Sequence, residues 1–226
     1  GANTTIDTNA TDTTGDLTLG VVTGGSNSLT LSTGNNINNS DITASGNISG
    51  VTTLTLADVG GTATLSGDVD VTTLTVGNTV ANVAFTGNGS SVVNAVAFAN
   101  DGTLTLGTSG GTQTYNGGLT TTSVAGTVTL NGTIATSNDA VILGPIALAD
   151  GTTINTNATS GTGDITINGA ITGGQALTLS TGNNISGSDV SVTGAVSAST
   201  LTLSNIGGTA TFSGDVDVNS LAVGNT

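Results

Sequence analysis

Apolar and polar residues alternate along most of this 226-residue chain. In the segment "TTLTLADV", Leu54 and Leu56 flank Thr55 and follow Thr53. Because successive side chains of a β-strand point to opposite faces, this alternation predicts strands that bury the leucines and expose the threonines. Similar units recur about every 10 to 13 residues, which leaves no room for helices between them. The good helix formers Glu, Lys, Arg and Met are also absent.

The chain contains a long internal repeat. The stretch "GGTATLSGDVDV" from Gly60 to Val71 returns as "GGTATFSGDVDV" from Gly207 to Val218. The match extends over residues 4–79 and 152–226, at an offset of 148 residues that becomes 147 after a deletion near Ala198. We expect residues 1–226 to form one continuous unit, a segment of a longer repetitive protein.

Two all-β architectures fit strands at this spacing. An antiparallel sandwich accommodates the strand lengths, but it does not account for a long in-register repeat. A β-solenoid does, since each coil stacks on the previous one and contacts only its neighbours. The sequence therefore predicts a right-handed parallel β-helix of about ten coils with almost no helix, because parallel crossovers are strongly biased to the right hand.

Glycine and proline indicate where the strands end. Gly67 lies two residues after Leu65, and Gly87 lies two residues after Phe85. We expect such glycines to adopt the positive φ that a sharp corner needs. The single proline, Pro145, is expected at a corner because it has no N–H to donate to a sheet.

The composition disfavours several classes of function. Lys, Arg, His and Cys are absent, and fourteen acidic residues, all Asp, give a formal net charge of −14. Without cationic side chains the chain cannot neutralise phosphates, which disfavours nucleic acid and anionic membranes as partners. The absence of Cys excludes disulfides and thiolate chemistry. No apolar run approaches the ~20 residues that cross a bilayer, so no membrane insertion is expected.

One segment resembles a known repeat family. The residues from Leu104 to Gly132 read "LTLGTSGGTQTYNGGLTTTSVAGTVTLNG". They resemble the autotransporter-associated β-strand repeats, in which an LxL strand, a "TYxGG" turn and a second Thr-rich strand recur. Nearly the whole chain is also similar to the passenger regions of large secreted bacterial exoproteins of the filamentous haemagglutinin type. The resemblance implies a right-handed parallel β-helix that is exported to the bacterial cell surface as an adhesin or fibre.

Catalysis would depend on aspartates alone. Paired carboxylates such as Asp68 with Asp70 are the arrangement that glycan-cleaving enzymes use. The alternation in "GDVDV" gives a simpler explanation, with the valines facing inward and both aspartates facing water. We therefore expect no catalytic residue and no enzymatic activity.

The acidic pairs are also the candidates for a metal site. Asp68 with Asp70, and Asp215 with Asp217, are candidate Ca²⁺ ligands because hard cations prefer several oxygen ligands. The glycine-rich "GGxGxD" pattern of calcium-binding β-rolls does not occur, and each pair stands alone. We expect solvated acidic edges and no cofactor, with bound Ca²⁺ as the alternative.

Outward Thr-x-Thr pairs raise an alternative function. Regular arrays of such pairs on a flat solenoid face are what many ice-binding proteins present to ice. Here the interval between successive pairs varies between about nine and thirty residues, which allows them to fall on different faces, and Thr is the common outward residue of a strand. The candidate residues for this alternative are Thr53, Thr55, Thr62, Thr64, Thr73, Thr75, Thr200, Thr202, Thr209 and Thr211.

The sequence favours a structural or adhesive fibre or stalk segment of a large secreted bacterial surface protein, without catalysis. Its expected partners are the neighbouring repeats of the same chain, with lateral or end-to-end self-association left open. Its expected location is extracellular. The alternatives are an ice-binding solenoid and a Ca²⁺-stabilised matrix or filament-forming protein.

Overall fold

The chain folds as a β-solenoid. A computed structural model describes residues 1–12, 15–34 and 39–225, so part of the first repeat copy, residues 35–38, lies outside the described ranges. Within these ranges every regular element is a strand and no helix occurs. The strands pair in parallel and stack in about ten turns. The predicted fold class is thereby confirmed, and the right hand of the coils stays a prediction.

The strands are short where they stop at a corner and long where they run around one. The first twelve are β1 (Thr4–Asp7), β2 (Leu17–Leu19), β3 (Val22–Ser32), β4 (Ile42–Ala44), β5 (Ile48–Ala57), β6 (Val59–Leu65), β7 (Val69–Val76), β8 (Val80–Phe85), β9 (Ser91–Val92), β10 (Val96–Ala97), β11 (Leu104–Leu106) and β12 (Thr112–Tyr115). The others are β13 (Leu119–Thr120), β14 (Val128–Ala135), β15 (Val141–Leu143), β16 (Ile146–Ala158), β17 (Ile165–Ile167), β18 (Ile171–Thr172), β19 (Ala176–Gly182), β20 (Val190–Val192), β21 (Val196–Ser204), β22 (Ala210–Phe212) and β23 (Val216–Gly224).

Each turn contributes one strand segment to each of three faces. Face A runs through Thr4, Leu29, Leu54, Leu74, Val96, Leu119, Val141, Ile165, Val190 and Ala210. Face B runs through Leu17, Ile42, Ala63, Val83, Leu104, Val128, Ile146, Ile171, Val196 and Val216. Face C runs through Val22, Ile48 and Val69, then β9 and β12, and on through Ile134, Ile154, Leu179, Leu203 and Val223.

The length of a turn varies although the faces stay aligned. The turn that leads from Thr4 to its partner Leu29 is longer than the turn that leads from Leu54 to its partner Leu74. The difference lies in the corners, because the inward residues of each face remain in register. Long strands such as β3 and β16 join two faces, so the hydrogen-bond ladders merge into a 17-stranded sheet, and a 6-stranded sheet forms the later part of face A.

The core is a single apolar column enclosed by the three faces. Leu54 and Leu56 are buried while Thr53 and Thr55 are half-buried, which confirms the predicted inward and outward sides. One connected cluster of buried side chains extends from Leu29 to Ile206. Each fully buried Leu, Ile or Val contributes about 1.5–3 kcal/mol relative to exposure. The stacked columns therefore provide most of the stabilisation in a chain that has no basic side chain for ion pairs.

Gly67 and Gly87 lie at corners as predicted, but the predicted positive φ is wrong for both. Neither has a positive φ. A Cβ on Gly67 would lie 2.3 Å from the carbonyl carbon of Gly46, and a Cβ on Gly87 would lie 2.5 Å from the carbonyl oxygen of Gly67. These glycines stack on one another at a corner that leaves no space for a side chain. The same expectation holds for Gly132, which follows Leu130 by two residues and has a φ of 63°, and asparagines such as Asn157, with φ of 47°, occupy further left-handed positions.

Candidate functional site

Aspartate side chains at the corners bind the backbone of the next turn. Asp16 Oδ1 accepts a hydrogen bond from the N–H of Asp41 at 2.8 Å. Asp41 Oδ1 in turn accepts one from the N–H of Thr62 at 2.6 Å. These carboxylates extend the ladder of face B beyond the strand ends, so their role is to hold successive turns together.

The second repeat copy contains the same interactions. Asp164 Oδ1 accepts a hydrogen bond from the N–H of Asp189 at 2.8 Å, and Asp189 Oδ1 accepts one from the N–H of Thr209 at 2.6 Å. The repeat thus preserves a structural contact, although this copy lies beside face A.

The structure places the candidate calcium ligands Asp68 and Asp70 at the start of β7 on face C. Asp68 Oδ1 accepts a hydrogen bond from the N–H of Gly89 at 2.7 Å, so one of its oxygens is already engaged. Asp70 is exposed and lies in register between Ser49 and Ser91 of the adjacent turns. No other carboxylate lies next to Asp70 in this outward column.

The candidates Asp215 and Asp217 lie far from the first pair. Both are exposed, Asp217 is paired with Ser197 on face B, and their turn is the last one that the structure describes. Asp68 and Asp215 are equivalent in sequence yet occupy different faces about seven turns apart. Across residues 1–12, 15–34 and 39–225, no group of three or more His, Cys, Asp or Glu is arranged to hold a metal ion.

One carboxylate has a shifted pKa. A hydrogen bond from the Ser109 side chain, with a second from the backbone of Gly151, holds the pKa of Asp150 below its ordinary value. Asp150 lies at the exposed corner inside β16. The shift reflects local stabilisation of the charged form at a corner and not a catalytic environment.

The ten candidate ice-binding threonines are divided among the three faces. Face A carries Thr53, Thr55, Thr73, Thr75, Thr209 and Thr211; face B carries Thr62 and Thr64; face C carries Thr200 and Thr202. Two Thr-x-Thr pairs stack directly, where Thr53 pairs with Thr73 and Thr55 pairs with Thr75. The candidates therefore do not form one continuous two-column array.

A single outward column nevertheless runs along the whole of face A. Its members are small or β-branched, uncharged and mostly Thr: Thr5, Thr30, Thr55, Thr75, Ala97, Thr120, Ile142, Thr166, Ser191 and Thr211. The interval between neighbours varies with corner length, so the sequence alone did not reveal this alignment.

The expectation that Thr faces outward is wrong for a set of buried threonines. Thr33, Thr156 and Thr181 are fully buried at corners. Thr156 Oγ1 donates a hydrogen bond to the carbonyl of Gly163 at 2.6 Å, and Thr181 Oγ1 donates to the carbonyl of Asn205 at 2.8 Å. The available signal was a Thr followed by Asn or Gly at a strand end, where the next residue has a positive φ.

The largest side chains meet inside the middle of the rod. The ring of Tyr115 lies 6.4 Å from that of Phe85 and 6.3 Å from that of Phe98, measured between centroids. The Tyr115 hydroxyl donates a hydrogen bond to Gln113 Oε1 at 3.0 Å, and Gln113 Nε2 donates to the carbonyl of Phe85 at 2.7 Å. Burial raises the pKa of Tyr115 far above its ordinary value. This cluster is closed to substrate and acts as core.

The surface has open grooves. One groove of about 410 Å³ follows the corner between faces C and A and is lined in part by Val51, Asp70, Thr72 and Val93. Asp70 is its sole ionisable side chain, so the groove lacks the second group that acid–base chemistry needs. None of the described elements is a helix that is long and apolar enough to cross a membrane.

Comparisons with known proteins do not identify a relative. No family model matches the chain, and searches of curated proteins and of solved structures also find no match. The resemblance to autotransporter repeats and haemagglutinin-type passengers therefore stays a prediction from the sequence.

Proposed function

We propose that this chain is a structural rod, a segment of a fibre or stalk in a large secreted bacterial surface protein, with no catalytic activity of its own. The observation that carries the proposal is the uninterrupted stack of about ten turns around one apolar core. Such a stack converts chain length into distance at ~4.8 Å per turn. Its function is extension, so that a domain joined to it is held away from its anchor.

The distribution of charge supports this proposal. Twelve of the fourteen aspartates lie at corners or strand ends, and only Asp70 and Asp217 occupy outward columns within faces B and C. Several corner carboxylates accept backbone hydrogen bonds, which is a structural use. The net charge of −14 also opposes non-specific association between rods.

The test is to measure extension and adhesion on the same cells. The chain is inserted between a surface anchor and a terminal epitope on a non-adherent bacterial host, with a flexible Gly/Ser linker of equal length as the control. We expect the rod to hold the epitope farther from the cell surface in a narrow distribution, with no gain in adhesion. An epitope no more extended than in the linker control would overturn the proposal, and a gain in adhesion would replace the spacer with an adhesin.

The outward column of face A favours ice binding as a second candidate function. It is uncharged and rich in Thr, although on face A Thr-x-Thr pairs stack directly only in the turns of β5 and β7. Thermal hysteresis and crystal shape at micromolar protein test this candidate. We expect unaltered ice growth; faceted crystals that disappear when Thr55 and Thr75 are replaced by Lys would establish ice binding through face A.

A further inference from the structure

We propose that the long internal repeat turns its copies around the rod axis, so that successive copies present the same corner in directions a third of a turn apart. This proposal rests on the proposed role as a rod. It concerns the direction in which surface features point, which extension alone does not determine.

Strand pairing carries the first part of the argument. Leu17 lies on face B, whereas Ile165, its counterpart in the second copy, lies on face A. Likewise Thr4 lies on face A, whereas its counterpart Thr152 lies on face C. One repeat therefore covers about six complete turns of the solenoid and then two more of the three faces. A whole number of turns would have returned each residue to its original face.

The described residues of the two copies share a corner hydrogen bond, which indicates that the change of face is a rotation of the same corner. Thr8 Oγ1 donates a hydrogen bond to the carbonyl of Gly15 at 2.6 Å. Its counterpart Thr156 Oγ1 donates to the carbonyl of Gly163, also at 2.6 Å. The first corner connects faces A and B, and the second connects faces C and A. Two closely similar sequences thus make the same corner contact at two orientations.

The rotation arises because the longest connection of a turn lies between faces A and B at the start of the chain and between faces C and A farther along it. Residues 8–16 connect β1 to β2 between faces A and B, whereas only Gly144 and Pro145 connect β15 to β16 between the same faces higher up. Above that point the long connection lies between faces C and A, in residues 159–164. Gly169 stacks over Pro145, since a Cβ there would lie 2.6 Å from the proline Cγ. The segment that occurs once in the repeat therefore contains the switch.

Distances between spin labels test the rotation directly, because the chain has no native Cys to interfere. The counterpart pair is Thr11→Cys with Thr159→Cys, both exposed and equivalent in the two copies of the repeat. The control pair is Thr43→Cys with Ser197→Cys, exposed residues seven turns apart in the outward column of face B. Pulsed electron–electron double resonance measures the distance between the two labels of each pair in the full chain.

The rotation predicts that the counterpart pair is farther apart, although fewer turns separate it. With ~4.8 Å per turn and corners roughly 10 Å from the axis before the label is added, we expect about 40 Å for the counterpart pair and about 34 Å for the control. A counterpart distance equal to or below the control distance overturns the rotation. A control distance far from its expected value contradicts the straight rod itself, so the two failures are distinguishable.

A tandem chain tests whether the rotation belongs to the repeat. Residues 1–151 are followed by residues 4–226, which joins Gly151 to Thr4 just as Gly151 precedes Thr152. Labels at the two copies of Thr11 should reproduce the distance of the counterpart pair in the native chain. A shorter distance would show that the offset does not recur, and the inference would fail. Far-ultraviolet circular dichroism of the same samples verifies that each variant is folded.

Discussion

Tyr115 is the one side chain of this protein that titrates at alkaline pH, so its ionisation can be followed without interference from other side chains. It is the single Tyr of a chain without Lys, Arg or Cys, and it is fully buried with its hydroxyl on Gln113. Burial raises its pKa in the folded state because the phenolate loses its hydration. The unfolded chain keeps the ordinary pKa of ~10.

Alkaline pH should therefore destabilise the protein through this one group. Below pH ~10 the phenol is neutral in both states, and above it only the unfolded chain ionises. We expect the free energy of unfolding to fall by about 1.4 kcal/mol per pH unit above that point. Denaturant titrations between about pH 8 and pH 12 measure how the free energy of unfolding changes with pH. We expect the decrease to begin at pH ~10.

The variant Tyr115→Phe is the control for this slope. It keeps the ring between Phe85 and Phe98 and removes the titrating proton. We expect a loss of about 1 kcal/mol at neutral pH, because Gln113 Oε1 loses its donor, and no further loss at alkaline pH. Absorbance at 295 nm in the folded wild type that rises near pH 10 would contradict the burial of Tyr115.

Alanine substitutions at two glycines test how closely the corners of successive turns are packed. Gly67→Ala places a Cβ 2.3 Å from Gly46 and is expected to cost about 1–3 kcal/mol of unfolding free energy through steric strain. Gly77→Ala is the matched control, since nothing lies within 4 Å of its Cβ and its φ is not positive. We expect Gly77→Ala to be neutral or to stabilise by a few tenths of a kcal/mol, up to about 1 kcal/mol. Equal effects in thermal denaturation would refute the stacking argument.

At the scale of strands, the alternation of Leu and Thr predicted the strands, and the long internal repeat then favoured the solenoid over a sandwich. The alternation fixed which side chains face inward, as at Leu54 and Thr55, because that choice depends only on a period of two. It did not fix which strands share a face. Thr55 and Thr75 stack, whereas Thr64, between them in sequence, lies on another face. Face membership depends on corner length, and the connections between successive strands range from one residue to nine.

Corner stacking also explains why the role of the glycines was misjudged. Gly67 looks like a turn residue because it follows Leu65 at a strand end. The constraint on Gly67 comes from Gly46, which belongs to the preceding turn. A local sequence signal contains no information about that neighbour. The corner role of Pro145 was predicted because its constraint is local, namely the missing N–H.

Removing one turn in register should leave a shorter rod. Deleting residues 29–53 joins Ser28 to Leu54, which occupies the same position on face A as Leu29. We expect a folded protein in which labels at Thr18 and Ser197 of face B move about 5 Å closer, the rise of one turn. The same pulsed resonance measurement gives this change.

A deletion of half a turn is the control. Removing residues 29–40 places polar residues in inward columns and apolar residues in water, so exposed strand edges should cause aggregation. A monomeric, fully folded half-turn variant in size-exclusion chromatography would show that the inward columns do not determine the register.

At the scale of the whole molecule, repulsion among uncompensated aspartates should be the main electrostatic effect. We expect the unfolding temperature to rise on addition of NaCl, by about 2–4 °C for each kcal/mol of repulsion that is screened. We expect CaCl₂ to give the same rise as MgCl₂ at equal ionic strength. A larger, saturable rise with CaCl₂ that disappears in Asp68→Asn would restore the calcium alternative.

The ladders of all three faces join each turn to the next, so their hydrogen bonds point along the rod. Tension applied at the ends of a stalk therefore acts directly on these bonds, and it is borne first by the outermost turn. Under load the rod should peel one turn at a time. Each turn, at roughly 20 to 25 residues, would release about 70–85 Å of extended chain. If the proposed role as a stalk holds, the solenoid would carry a reserve of length that is released in steps under load.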